Sequence, residues 1–389
     1  MRNRQMNRAV WFAGAAALVV GACTSSASTA GSARPSAAAS ADGSPSTADC
    51  TSSSTGAAYA MATCAFHSPS LAGNLIYDEP VVNVYILTPA DYETSGKRYP
   101  VVYVLAGYTD PATGLAYAVG GAPVPAAGAG LPIFVVVSGV NSFGGGFYVN
   151  SPVTGNWEDA IAVDLVGYVD ANYRTLAQRQ SRGIAGHSMG GYGSISLAMR
   201  RADVFGALYS MSPGLFDANG MQDTFGTLAL TGMAADLGAA AAGKTGADLA
   251  NALKLAAAGA SQFGVAYGLA FAGNPSSPIL MDFPFSSKDG QSVRDDKAWA
   301  RWEGGFGNLA AKVKQYATAL KSLSGIVIDY GTADENAWIP RGSHYFVGLL
   351  RDAGIAAEER TYDGGHNEQI DARLLSQVLP FMQQKLATS

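Results

Sequence analysis

Hydrophobic positions in this chain follow two rhythms. Val101-Val102-Tyr103-Val104-Leu105-Ala106 and Ile133–Val137 are continuous apolar runs, as strands buried on both faces require. Val81-Val82-Asn83-Val84-Tyr85-Ile86-Leu87 alternates instead. With His67-Ser68-Pro69-Ser70-Leu71 it reads as an opening antiparallel pair, its second member a half-buried edge. Further strands are expected around Ile184 and Ala185 and over residues 206–211, 325–330 and 359–362. Between them runs helical spacing. Ile161, Leu165, Tyr168 and Val169 form a stripe within 159–172, and Ile195, Leu197, Ala198 and Met199 another, closed by Arg200 and Arg201 where cations suit a helix C-terminus. Leu309, Val313, Tyr316, Leu320 and Leu323 predict a four-turn helix, and a further helix is expected around 345–352. The closing helix carries Leu374, Leu375, Val378, Leu379 and Met382, with a kink expected at Pro380. Strands alternating with helices imply an α/β fold: a mostly parallel sheet covered on both faces. Ligands of such sheets bind beyond the carboxyl ends of the strands.

Two regions break the rhythm. Residues 215–290 are rich in Ala and Gly, with Met233, Leu237, Leu249, Leu253, Leu255, Phe263, Tyr267, Leu269 and Phe271 among them. They read as a mostly helical insertion, lying as a cap over the carboxyl ends of the strands and packed by its own apolar residues. The N-terminus is the other region. Arg2, Arg4 and Arg8 precede an apolar run over 10–20, too short for an ordinary membrane span and typical of a signal peptide over 1–22. Val20-Gly21-Ala22-Cys23 resembles a bacterial lipobox, with Gly21 less usual at its position. Cleavage and lipidation of Cys23 would leave an exported, membrane-anchored protein of the bacterial cell envelope; an ordinary signal would leave a secreted one. Residues 23–49 are Ser, Ala, Thr, Gly and Pro with almost no large apolar side chains, a composition suited to a flexible tether. The body is then 50–389. In an oxidising compartment Cys50 and Cys64 form an even pair. They are expected to bridge and staple the tether to the first strand.

Charge adds exclusions. The chain carries 25 basic and 30 acidic residues, a formal net charge of −5, with no basic cluster, so nucleic acid is not an expected partner. Zinc spacings, H-E-x-x-H, Walker and dinucleotide fingerprints are all missing.

The chemistry gathers at Gly186-His187-Ser188-Met189-Gly190, a G-x-S-x-G run between a short apolar strand and a helical pattern. That is the context of the nucleophile elbow of an α/β-hydrolase. Such a serine needs a base and the base an orienting acid, in the chain order Ser, Asp or Glu, His. His67 and His187 do not follow Ser188, and His344 lies near the start of an amphipathic helix. His366 sits in Asp363-Gly364-Gly365-His366-Asn367, a glycine loop after the last strand, and is the candidate base. For the acid, Asp334 directly follows the 325–330 strand, with Glu335 its main rival and Asp329, inside the strand, a weaker one. The oxyanion hole needs two backbone N–H groups; Met189, after the nucleophile, and Tyr108, after the 101–106 strand, are the candidates.

These pieces, with Gly146-Phe147-Tyr148-Val149-Asn150, Trp157-Glu158-Asp159 and Asp170-Ala171-Asn172-Tyr173-Arg174, resemble the esterase family that includes esterase D-type S-formylglutathione hydrolases, feruloyl esterases and secreted mycolyltransferases. The resemblance implies an α/β-hydrolase fold, a Ser188/Asp334/His366 triad, Tyr108 and Met189 at the oxyanion positions, and no cofactor. Ala106 departs from it, standing where many relatives carry His or Asp. Phe143, Phe147, Tyr148 and Trp157 are candidates to line a substrate site, Trp157 equally to pack beneath it. The expected activity is serine carboxylic-ester hydrolysis of a small-molecule or cell-envelope ester through an acyl-enzyme. The alternatives are acyl transfer to a sugar or lipid hydroxyl, and a non-catalytic binding module on the same fold.

Overall fold

The computed structural model describes residues 46–389 except 55, 123–129, 226, 259–261 and 290. The expected signal peptide, Cys23 and nearly all of the tether lie outside the described residues. Nine strands form one sheet: β1 (Thr47–Ser54), β2 (Tyr59–His67), β3 (Val81–Pro89), β4 (Val101–Leu105), β5 (Ile133–Val137), β6 (Arg182–His187), β7 (Ala207–Met211), β8 (Ile326–Gly331) and β9 (Glu358–Tyr362). Their order is β1-β2-β3-β5-β4-β6-β7-β8-β9. The pairs from β1 to β5 are antiparallel, and all pairs from β5 to β9 are parallel. Every residue of β4 to β8 is buried, which is why those runs are apolar without alternation.

The order contains one reversal. From β4 the chain steps back to β5 and then out to β6 on the other side of β4. Connections leave these two neighbours in opposite directions and open a crevice at their carboxyl ends. Register makes it tight, because Leu105 pairs with Gly186. The loops beginning at Ala106 and Ser188 therefore leave the sheet side by side.

The opening differs from the sequence expectation. Residues 67–71 do not continue as a strand. β2 ends at His67, and Pro69–Leu71 form a 3-10 turn. Pro69 has no N–H for a sheet ladder. Asp164 draws the chain aside, its Oδ2 accepting from Ser68 Oγ at 2.6 Å and Ser70 N–H at 3.0 Å. β3 is not an edge, since β2 covers one side of it and β5 the other. The edge is β1, which begins at Thr47, inside the stretch expected to be tether. Cys50 and Cys64 face each other across the β1–β2 register and are joined by a disulfide.

Helices fill both faces. The 157–172 helix contains a wide π turn at Ala160–Leu165. Helix α1 (Met189–Arg200) packs on the sheet centre with only its last residue exposed. The expected four-turn helix from Leu309 is two pieces, Leu309–Gln315 and Ala317–Lys321, broken at Tyr316. The closing helix widens into a π turn at Leu374–Val378 just before Pro380, an adjustment that accommodates a residue unable to donate.

The insertion is mostly helical and runs further than expected. Gly220–Phe225, Thr227–Ala241, Gly246–Ala256 and α2 (Gln262–Phe271) are followed by a hairpin of Phe285–Lys288 with Gln291–Arg294, then by Asp296–Glu303. Its apolar residues mostly pack inward: Leu237, Leu249, Leu253, Tyr267 and Leu269 are buried, while Leu255 stands exposed. Helix α3 (Trp338–Asp352) starts seven residues before the expected 345. Among the described residues no helix is long and apolar enough to cross a membrane.

One buried ion pair ties the closing helix to the sheet. Arg373 Nη1 lies 2.6 Å from Asp329 Oδ1, and Tyr209 donates to Asp329 Oδ2 at 2.9 Å. Replacing Arg373 by Met leaves Asp329 buried beside fewer donors and is expected to cost about 3–5 kcal/mol. Urea denaturation checks this, and Asp329→Asn in the same background should return part of the loss. The Cys50–Cys64 bridge closes a short loop. The double Cys→Ala variant should therefore lose about 3 kcal/mol; an unchanged urea midpoint would show that β1 contributes nothing to the cooperative unit.

Candidate active site

The elbow is built by backbone crowding. Ser188 sits between β6 and α1 at φ 58° and ψ −115°, a conformation costly for any residue with a side chain. A Cβ on Gly186 would strike Gly190 O, and one on Gly190 would strike Leu105 O. Only glycine allows strand, turn and helix to approach so closely. Ser188 N–H donates to Met211 O at 3.0 Å, while Ser188 O accepts from Tyr192 N–H at 3.0 Å and Gly214 N–H at 3.1 Å. The main chain is thus pinned from β7 and α1, and the side chain is left half-exposed.

His366 reaches Ser188 from the loop after β9. Its Nε2 lies 2.8 Å from Ser188 Oγ, and its Nδ1 lies 2.7 Å from Asp334 Oδ2. The carboxylate on one side assigns the proton to Nδ1 and leaves the Nε2 lone pair facing the hydroxyl. Ring and carboxylate are both dry: His366 is 6% exposed and the Asp334 side chain 0%. Asp334 Oδ1 also accepts Asn336 N–H at 2.8 Å, so the acid both caps the turn and meets the imidazole. The loop can come this near because a Cβ on Gly331 would strike Gly364 O.

The two rival carboxylates have other partners. Asp329 is held by Arg373 and Tyr209. Glu335 Oε2 accepts the His366 backbone N–H at 2.9 Å and makes no contact with the ring nitrogens. Burial works against its charge, but the His366 and Glu335 amides and the nearby imidazole hold its pKa below the ordinary value. His344 lies at the surface, 2.9 Å from Glu359, and His67 lies 3.6 Å from Asp49. His187, set aside as a base by chain order, is buried against His366. The rings are 4.8 Å apart, and His187 Nε2 lies 3.0 Å from His366 O. Burial, with His366 and Arg373 beside it, holds its pKa well below the ordinary imidazole value. A carbonyl oxygen can only accept, so His187 Nε2 carries a hydrogen and donates it to His366 O.

Beside the serine lie the two expected amide donors. Met189 is the first residue of α1, so its N–H has no intrahelical acceptor. Tyr108 N–H takes no backbone acceptor among the described residues. An added Cβ on Gly107 would lie 3.5 Å from Ser188 Cβ, which places this loop against the nucleophile. The Tyr108 ring is fixed as well. Its hydroxyl donates to Phe143 O at 2.7 Å, and it lies over Gly144, where a Cβ would come within 2.5 Å of it. Gly144 has φ +103°. Ala106 contributes no polar side chain; its carbonyl accepts from the Tyr148 hydroxyl at 3.0 Å.

The expected aromatic lining is corrected by burial. Phe147 and Tyr148 are 0% exposed and Trp157 3%. Tyr148 donates to Ala106 O and Val137 O, and Trp157 Nε1 to Thr154 O at 3.1 Å. These side chains, and Phe143 with them, support the loops from beneath, because a Tyr or Trp buried this deeply needs a fixed acceptor. Phe147 is the hub of a cluster with Tyr108, Phe263, Tyr267, Phe271 and Phe306. Phe263 on α2 stands edge-on to Tyr108, centroids 5.2 Å apart. It is half-buried and brings the insertion against the Tyr108 loop. Its pattern in sequence was indistinguishable from the insertion's own packing.

Among the described residues no group of three or more His, Cys, Asp or Glu is placed to hold a metal.

Comparison with known proteins agrees with this architecture. An S-formylglutathione hydrolase from Agrobacterium tumefaciens superposes with a TM-score of 0.50 over 87% of this chain and 99% of its own, at 15% identity, a likeness of fold. A ferulic acid esterase (TM-score 0.49, 18% identity, 88% of this chain and 99% of its own) and MPT51 of Mycobacterium tuberculosis (0.48, 17%, 82% and 96%) are also similar. In sequence, Esterase Rv1288 of Mycobacterium tuberculosis is 36% identical over 139 residues, 34% of this chain. The chain spans 29% of the length of the curated relatives it matches. The esterase family model matches residues 79–382, from β3 to the closing helix and across every element that shapes the site. On that match, the chain belongs to the esterase family.

Proposed function

We propose that this protein is an exported serine carboxylic-ester hydrolase working through an acyl-enzyme. The observation that carries the reading is the continuous chain Ser188 Oγ, His366 Nε2, His366 Nδ1 and Asp334 Oδ2, at 2.8 and 2.7 Å, with Ser188 held in a strained turn. Ser188 Oγ attacks the acyl carbon as its proton passes to His366 Nε2. Asp334 stabilises the imidazolium that forms. The oxyanion is received by the N–H groups of Tyr108 and Met189. His366 then gives the proton to the departing alcohol, takes one from water as the hydroxide attacks the acyl carbon, and returns it to Ser188 Oγ as that bond breaks and the acid leaves.

Acyl transfer to a sugar or lipid hydroxyl is the second reading. It is supported by the insertion's Phe263 standing against the Tyr108 ring, since a drier site favours an alcohol acceptor over water. Export and anchoring rest on the basic and apolar N-terminal pattern and on Cys23.

A chromogenic acyl-ester series tests the chemistry. Ser188→Ala should lower kcat by roughly 10⁴-fold or more, and Asp334→Asn by roughly 10³–10⁴-fold. Turnover unchanged in Ser188→Ala would sink the assignment. With excess glycerol or trehalose, free acid as the main product marks a hydrolase and a new ester marks a transferase. In a bacterial host, Cys23→Ala should move the protein from the membrane fraction to the soluble one.

A further inference from the structure

All four polar groups of His366 are engaged. Asp334 and Ser188 take the ring nitrogens. The main chain is held as well, from opposite sides. His187 donates to His366 O from within the core at 3.0 Å, and Glu335 accepts His366 N–H from the solvent side at 2.9 Å. This matters because His366 sits in a loop whose neighbours are Gly364 and Gly365, a sequence with little conformational preference of its own. Within the loop Tyr362 Oη donates to Gly365 O at 2.8 Å, but the two main-chain groups of His366 itself are held by residues outside the loop. We propose that His187 and Glu335 are positioning residues that clamp the His366 backbone and so set its imidazole over Ser188. The inference rests on the hydrolase reading above and deepens it.

The two sides of the clamp are unequal. His187 is 3% exposed, so its loss leaves the His366 carbonyl without a donor in a place water does not easily reach. Its ring also packs against that of His366, so truncation opens space behind the base. Glu335 is exposed, and water can take over part of its task. The clamp also accounts for the x position of the G-x-S-x-G run. His187 and Ser188 are consecutive, so one turn supplies the nucleophile and the anchor of its base.

The test compares steady-state kinetics on a chromogenic ester for wild type, His187→Ala, His187→Gln, Glu335→Ala and Glu335→Gln. Displacing a reacting group by about 1 Å costs up to about 10²-fold. His187→Ala should therefore lower kcat roughly 10- to 100-fold with KM within about twofold. Glu335→Ala should lower kcat several-fold. His187→Gln, which keeps an amide donor, and Glu335→Gln, which keeps an acceptor, should each recover most of the loss even where thermal midpoints match the alanine variants. A kcat within twofold of wild type in both alanine variants overturns the clamp, as does a folded His187→Gln no better than His187→Ala. If His187→Ala does not fold, Glu335→Ala decides alone, since it lies on the surface. Ser188→Ala separates the two layers: activity surviving there removes the hydrolase reading, whereas loss there with intact alanine variants removes only the clamp.

Discussion

The contact on which the site depends is the approach of three stretches of main chain at the carboxyl ends of β4 and β6. Leu105 O lies where a side chain on Gly190 would have to be, and Gly190 O where one on Gly186 would be. Because β4 and β6 are neighbours in register, Leu105 opposite Gly186, this crowding brings the Tyr108 loop and Ser188 together. Everything else must accommodate it. Ser188 is forced to a positive φ, and its strain is held by hydrogen bonds from β7 and α1. A site built on strand ends keeps such geometry far better than one built on a loop alone.

The second half of the site comes from the far end of the polymer. β8 supplies Asp334 and β9 supplies His366 through short glycine turns, and the buried Asp329–Arg373 pair anchors the closing helix just below them. Burial of the carboxylate and imidazole strengthens their attraction, since water is not there to screen it. It also makes each partner dependent on the others, because a lone charge in that place is costly.

Much of this was legible along the chain. The central strands announced themselves as uninterrupted apolar runs, and the elbow as a G-x-S-x-G pattern set between an apolar strand and a helical stripe. Misreadings fell where tertiary partners outvoted local pattern. Residues 67–71 look extended, but Asp164, nearly a hundred positions away, captures Ser68 and Ser70. Tyr316 keeps helical spacing yet interrupts the helix. Phe147 and Tyr148 looked like a binding surface, and Trp157 equally like one or like packing beneath it, because aromatic residues near a motif have no direction in one dimension. Folding turns them inward against carbonyls and other rings.

By itself, the sequence determined the strand and helix rhythm, the serine and its glycines, and the narrow choice of base and acid. Those follow from local rules: side-chain periodicity, the volume of a Cβ, and chain order. Only the tertiary structure decided between neighbouring carboxylates, giving the ring to Asp334, the backbone amide to Glu335 and Arg373 to Asp329. It also gave His187 its place behind His366. Adjacent residues of like chemistry carry the same pattern in sequence. They differ only in which way the folded backbone points them, and that direction is set by contacts between segments far apart along the chain.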